Sequence, residues 1–322
     1  MQNTQNTENT NTKCPARIRI GTRRSELAVA QANEIKNRLL GAFPELTQTQ
    51  IELVKLQTTG DAIQDRHLAE IGGKGLFTKE IEEALFEGTI DMAVHSMKDI
   101  PDTLPDGLII DCIVEREDAS DAFISNTAKN IRDLPKGAVV GTSSVRRQSQ
   151  ILKIRPDLKI VPIRGNVQTR LKKLDRGDVD ATLLAVAGLK RLNINERITD
   201  AIPAEDMLPA VAQGAIGVEC LADNKHMIQV LEKINHGPSK TCVTAERAFL
   251  ITLGGSCATP IAGLAELDKN GNLHFRGLVA STDGKEIYFT ERTGKAEDAE
   301  EMGKDAGKET LKNASRLLLQ TN

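Results

Sequence analysis

At 322 residues the chain is long enough for two or three domains of about 150 residues, and a folded chain of that size buries roughly 70–75% of its extended surface. Hydrophobic residues make up 39% and charged residues 27%, which excludes fibrous, wholly disordered and disulfide-stapled miniature classes. The 42 Lys and Arg fall short of the 45 Asp and Glu, leaving a net charge of -3, and aromatics are 2% with no Trp. A nucleic-acid coat needs a basic excess and stacking rings, so any anion site here must come from local clustering.

The chain opens on MQNTQNTENTNTK, polar and without an apolar stretch, which predicts a disordered tail over residues 1–16 and no targeting or membrane segment. Order is expected from Arg17. Arg17–Gly21 reads as a strand, and Ser25 can cap a helix whose stripe includes Leu27, Ala28, Ile35 and Leu39. Gln50–Leu56 is a second strand, Gly72–Phe77 a glycine-rich turn, Thr78–Glu87 a helix and Ile90–Val94 a strand. Leu108–Val114 and Ala138–Gly141 read as strands; Ser143 or Ser144 can start a helix. Lys159–Ile163 is a strand, Val167–Leu174 a helix and Asp180–Val186 a buried strand. Repeated strand-to-helix units predict α/β layers with mostly parallel sheets. Beyond these, Ser239–Leu253 is helical, Ile261–Leu267, Leu273–Ser281 and Glu286–Glu291 are strands, and Ala296–Leu319 is a closing helix.

Arginines recur where strands give way to helices: Arg23, Arg24, Arg146, Arg147, Arg164, Arg170 and Arg191. Ligands of α/β sheets collect beyond the strand carboxyl ends, helix starts favour anions, and Arg offers a donor fork for carboxylate or phosphate. Gly21–Ser25 and Gly141–Arg147 look alike, as if two such turns served two facing lobes. Neither GxGxxG at the first turn nor GxxxxGK[ST] occurs, so no nucleotide is implied. Asp99 follows an apolar strand and could either cap the turn before Pro101 or accept a hydrogen bond from a ligand N–H. His95 could equally hold the loop, and the five His form no HxH or HExxH pattern, so no metal site is expected. The five cysteines are odd in number and lack CxxC, which fits free thiols in a reducing cytoplasm. Cys257 sits in the flexible Gly254–Pro260 turn and could be either an inert thiol or a nucleophile; Cys242 reads as structural.

Taken together, Gly21-Thr22-Arg23, Gly72–Phe77, His95–Asp99, Gly141–Arg147, Arg164–Val167, Leu184–Leu192, Leu208–Glu219 and Glu246–Pro260 resemble the porphobilinogen deaminase (hydroxymethylbilane synthase) family over roughly residues 17–320. The resemblance implies three α/β domains: 17–115 completed by 214–234, then 120–209, then 235–322. The first two would resemble type II periplasmic binding protein lobes around an active cleft. It also implies a dipyrromethane cofactor held by a thioether at Cys257. Two positions depart from the family pattern: Ser256 precedes that cysteine in place of the usual glycine, and Glu26 follows Ser25 where proline is common.

The implied reaction joins four porphobilinogen molecules head to tail with loss of four ammonia, then releases linear hydroxymethylbilane with water, in tetrapyrrole and heme biosynthesis. Asp99, Lys98 and Arg23 are the implied catalytic residues. Ser143, Arg146, Arg147, Arg164 and Arg170, with Lys98 and Asp99, would hold the cofactor. Arg23, Ser25, Lys74, Lys79 and Arg191 would hold substrate or the growing polypyrrole chain. The acetate and propionate of every pyrrole give the basic turns a purpose. The family also implies a cytoplasmic monomer with no nucleic-acid or membrane partner. The competing classes are a noncatalytic two-lobed polycarboxylate-binding protein, which would form no cysteine adduct, and a nucleic-acid protein, whose binding would be salt-sensitive.

Overall fold

The computed structural model describes residues 15–62, 78–255 and 259–319. The expected tail with Cys14, the Gly72–Phe77 turn with Lys74, and Cys257 lie outside the described residues. Strand β1 (Ile18–Arg23) leads into α1 (Glu26–Ala42), where the Ser25 side chain accepts a hydrogen bond from the Ala28 amide. That is the expected cap, and it supplies a partner for one of the free amides at the helix start. Then come β2 (Ile51–Leu56), the single turn α2 (Thr59–Ala62), α3 (Lys79–Phe86), β3 (Met92–Ser96) and β4 (Leu108–Ile113).

Residues 114–120 cross into a second unit. It holds β5 (Asp121–Ser125), β6 (Val139–Gly141), α4 (Val145–Ile154), β7 (Lys159–Val161) and α5 (Val167–Asp175). It ends with β8 (Ala181–Ala185), α6 (Val186–Arg191) and β9 (Asp200–Ile202). Residues 203–215 cross back to β10 (Ile216–Leu221) and α7 (Lys225–Glu232) in the first unit.

The two five-stranded sheets share one order, β2-β1-β3-β10-β4 and β7-β6-β8-β5-β9. In each, the strand delivered by a crossing is the reversed one. β10 is antiparallel to β3 and β4, and β5 is antiparallel to β8 and β9. The pairs β1–β2, β1–β3, β6–β7 and β6–β8 are parallel. The sheets are therefore mixed, yet four of the five strands in each run the same way, so the expectation of mostly parallel sheets holds except for one reversed strand per sheet. Parallel neighbours need a crossover back to the same end of the sheet, whereas a strand entering from the other lobe comes in against that direction.

The second sheet is buried on both faces, as its apolar runs imply. Phe123 and Leu183 pack with Val140 and Ile151 on one side, while their neighbours Ile124 and Leu184 pack with Ile163 and Leu171 on the other. In the first unit Ile18, Ile20, Ile35, Leu39, Met92 and Val218 form the core beneath α1.

The third unit is α8 (Gly237–Leu253), the antiparallel sheet β11 (Ile261–Leu267), β12 (Asn272–Ala280) and β13 (Ile287–Lys295), and α9 (Ala299–Leu319). Gly254 ends α8 at φ +61, a left-handed cap that suits glycine and turns the chain toward β11.

Glu246, fully buried on α8, joins all three units. Its carboxylate accepts from Arg116 Nη1 at 2.6 Å and Nη2 at 3.1 Å, from the Ala212 amide at 2.6 Å and from the Ala265 amide at 2.8 Å. Those partners sit on the first crossing, the second crossing and β11. The crossings themselves touch backbone to backbone: Gly214 has φ +87, and a Cβ there would come within 2.4 Å of the Glu117 carbonyl oxygen. Only glycine fits that approach.

Candidate active site

The sheet ends deliver the site. Arg23 closes β1, and Lys98 and Asp99 lie on the short 3-10 turn that follows β3. From the second lobe, Ser143 follows β6 and Arg164 follows β7. Ser144 caps α4 by accepting from the Arg147 amide, so Arg146 and Arg147 lie on the first turn of that helix. Asn166 caps α5 by accepting from the Thr169 amide, which sets Arg170 one turn into the helix.

Lys98 and Asp99 are exposed, and charged groups of both lobes gather about them in a shared space, the recess of the proposed site. Protein crowds the Lys98 ammonium so closely that lost hydration pushes it down to about 8. Asp99 opposes that push, Arg147 adds to it, Asp121 opposes it and Arg146 adds to it. Arg170 is likewise lowered, to about 10, first by desolvation, then by Arg147 and Arg164 against the pull of Asp99. Groups from both lobes thus act on one another across the recess. Cations there repel one another, and the recess carboxylate that relieves them is Asp99.

Arg146 and Arg147 are placed deeper than the sequence implies. Both are 5% exposed and clasp Asp121, itself fully buried at the start of β5. Arg146 Nη1 donates to Asp121 Oδ2 at 2.7 Å and to the Leu208 carbonyl at 2.8 Å. Arg147 donates to Asp121 Oδ1 through Nη2 at 2.7 Å and Nε at 3.1 Å, and to the Leu183 carbonyl through Nη1 at 2.8 Å. Burial disfavours the Asp121 anion, but the two guanidiniums overcome it and hold the carboxyl well below its usual range. Their positive field still reaches Lys98 and, from Arg147, Arg170.

Other expected contacts fall in different places. The Ser25 hydroxyl accepts the α1 cap bond, and Ser143 is exposed and donates to the Ile163 carbonyl at 3.0 Å. Arg170 Nε donates to the Gly165 carbonyl at 2.9 Å. Lys79 is exposed at the start of α3, 3.9 Å from Glu83. Arg191 joins the lobes: Nε donates to Glu34 on α1 at 2.9 Å and Nη1 to the Gly214 carbonyl at 3.1 Å. Glu26 also reaches across, accepting from Gln168 on α5 at 2.5 Å. His95 pairs with buried Glu219 at 2.9 Å, the structural alternative left open for it.

Asp121, Gln213, Arg116 and Glu246 did not emerge as site or scaffold residues from composition and spacing. The one local signal was the Arg146-Arg147 pair on an otherwise buried helix face, which demands a counter-ion somewhere.

The described cysteines Cys112, Cys220 and Cys242 are free and buried. Burial, the largest cause in each, pushes their thiols up to about 12, 11 and 11, so they are poor nucleophiles. A cavity of about 420 Å³ lies on the third unit's side of the crossing, lined by Asp118, Glu205, Glu266 and Arg276 among others. Arg276 already holds Glu205 at 3.0 Å and Glu266 at 2.8 Å, so this acidic cavity does not suit a polycarboxylate. Among the described residues no His/Cys/Asp/Glu group could hold a metal, and no helix is long and apolar enough to cross a membrane.

The family model "Porphobilinogen deaminase, dipyromethane cofactor binding domain" matches residues 18–229, and "Porphobilinogen deaminase, C-terminal domain" matches residues 240–312. The chloroplastic porphobilinogen deaminase of Oryza sativa subsp. japonica is 56% identical over 295 residues, 91% of this chain and 82% of the relative. The porphobilinogen deaminase of Nitrobacter hamburgensis is 50% identical over 296 residues, 92% and 93% of the two chains. Among solved structures, the periplasmic aliphatic sulphonate binding protein SsuA of Escherichia coli aligns at 15% identity and a TM-score of 0.40, covering 76% of this chain and 73% of that one.

Proposed function

The chain belongs to the porphobilinogen deaminase family, and from that premise we propose how its residues carry out the stepwise condensation of four porphobilinogen molecules to hydroxymethylbilane. The observation that carries the reading is the gathering of cations about Asp99: lost hydration drives both Lys98 and Arg170 down, and at Arg170 the repulsion of Arg147 and Arg164 adds to it against the pull of Asp99. Lys98, Arg164 and Arg170 outnumber the one carboxylate among them, Asp99, and a dipyrromethane bearing acetate and propionate groups supplies further anions. The donor set also includes a carboxylate able to accept pyrrole N–H bonds. The residues therefore fit the cofactor. When bound, dipyrromethane supplies the pyrrole α-carbon to which the first substrate is joined.

Lys98, Arg170 and Arg164 bind the carboxylates of cofactor and substrate, with the Ser143 hydroxyl turning from the Ile163 carbonyl to donate beside them, and Arg23 and Ser25 serving the substrate from the first lobe. Arg146 and Arg147 contribute through their field and through α4, which Asp121 locks in place. Asp99 accepts pyrrole N–H bonds, offsets the positive charge that develops as ammonia leaves, and can take the proton lost when aromaticity returns. Arg191 acts at the inter-lobe contact, which sets the width of the recess. Lys74 and Lys79 serve the lengthening chain. Cys257 is the attachment point, a reading supported by the family resemblance and by the raised thiols of the three other cysteines beyond the tail.

The domain limits 17–115 with 214–234, 120–209 and 235–322, a monomeric state and a cytoplasmic location belong to the same proposal. The rice relative is named chloroplastic. Free buried thiols suit any reducing compartment.

The pH profile tests the binding role. Free Lys98 loses its proton near 8, so it attracts carboxylates below that pH and ceases to do so above it. The carboxylates of the bound dipyrromethane favour the ammonium, so in the holoenzyme, which kcat/KM for porphobilinogen reports, the alkaline limb should lie above pH 8. Lys98→Arg should remove that limb; a limb unchanged in that variant contradicts the assignment.

A further inference from the structure

Gln213 is fully buried on the second crossing, between the lobes. Its Nε2 donates to the Ala119 carbonyl at 2.7 Å, to Asp121 Oδ1 at 2.9 Å and to the Ser120 carbonyl at 3.3 Å. Its Oε1 accepts from Lys98 Nζ at 3.3 Å. Turning the amide over would set Oε1 against three oxygens and Nε2 against an ammonium, so the network fixes its orientation. The backbone is held as well, with Gln213 N donating to the Ala210 carbonyl at 2.9 Å and Arg116 Nε donating to the Gln213 carbonyl at 2.8 Å.

We propose that Gln213 is a positioning residue for the condensation, holding the Lys98 ammonium at the floor of the recess and tying it to the Asp121–Arg146–Arg147 cluster of the other lobe. The proposal rests on the reading of Lys98 as a carboxylate-binding cation. The charged groups facing that ammonium are Asp99 on its own turn, Arg146 and Arg147 from α4, and Asp121 from β5. Gln213 differs from all of them. It is neutral, its acceptor points at Nζ, and an acceptor favours the charged form of a lysine. It therefore opposes the desolvation and the arginine field that lower Lys98 to about 8. Because its other end is bonded to Asp121, Lys98 is placed relative to the second lobe as well as to its own turn. An ammonium left to rotate freely would lose that registration with the carboxylates it binds.

The test uses the full-length holoenzyme with Gln213→Met, which keeps the side-chain length but has no strong acceptor, and Gln213→Asn, which keeps the amide but shortens its reach. Competitive labelling of lysines with acetic anhydride, read by peptide mass spectrometry across pH, gives the Lys98 titration midpoint directly. Kinetics with porphobilinogen give kcat and KM over the same range. In Gln213→Met the midpoint should fall by about one pH unit, the alkaline limb of kcat/KM should move with it, and KM should rise about tenfold, as for one lost hydrogen bond to a charged group. Gln213→Asn should show smaller shifts of the same sign. If Gln213→Met does not fold, Gln213→Asn decides. A midpoint unmoved in a folded variant overturns the clamp while leaving wild-type turnover, and hence the functional reading, intact. A midpoint that moves with both kinetic constants unchanged overturns Gln213's part in the reaction, and the binding role of Lys98 with it.

Discussion

Asp121→Ala is expected to destabilise the protein by about 3–5 kcal/mol, the range for breaking a buried ion pair from one side. Two guanidiniums, each 5% exposed, would keep their burial and lose their shared anion. Carbonyls of Leu208 and Leu183 still accept from them, but neutral acceptors do not cancel two charges. Gln213 Nε2 would lose a partner in the same stroke. Urea unfolding of the two proteins measures the difference, and a loss below about 1 kcal/mol would contradict the role given to Asp121. The pH dependence provides a second check. The folded carboxyl lies below its ordinary 3.8, so its contribution is present above that value and is lost as pH falls through the lower folded one. Asp121→Ala should therefore lie closer to wild type at acid pH than at neutral pH.

Asp99→Asn is expected to leave the fold in place and reduce turnover by about 10²–10⁴-fold, the usual contribution of a positioned acid or base. The side chain is exposed on a 3-10 turn, and asparagine matches its shape. What disappears is the negative charge that offsets cations at Lys98 and Arg170. With it goes the group that can balance charge as ammonia departs. An asparagine can still accept one N–H bond, so substrate binding should weaken less than turnover. A folded variant with an unchanged melting temperature and normal turnover would remove Asp99 from the mechanism.

The local devices of the fold were legible because each is written in adjacent residues. Ser25 before an apolar stripe marks a helix start, and so does Ser143-Ser144 before Val145; the structure chose Ser144. The strand ends that carry Arg23, Lys98 and Asp99 were legible for the same reason. Long-range pairing was harder to read. β5 begins on Asp121, which looks like a surface charge until Arg146 and Arg147 arrive 25 and 26 residues later to bury it. β9 is three residues long, too short to show any period. The reversed direction of β5 and β10 follows from how the chain crosses between lobes, which no local pattern encodes. The burial of Arg146 and Arg147 was obscured likewise: arginines beside Ser and Gly suggest open ligand contacts, and only the distant aspartate makes burial tolerable. The family resemblance supplied the order of the lobes, and the geometry supplied the network that joins them through Glu246 and Gln213.

The central claim is a recess built around a covalently held dipyrromethane, with Cys257 as its anchor. Denaturing intact-protein mass spectrometry of the full chain, followed by peptide fragmentation, addresses it most directly. The account predicts a two-pyrrole adduct on the Cys257 peptide, present as purified or formed on incubation with porphobilinogen, and absent from Cys257→Ala. An adduct mapped to another residue, or a chain still unmodified after that incubation, would contradict it.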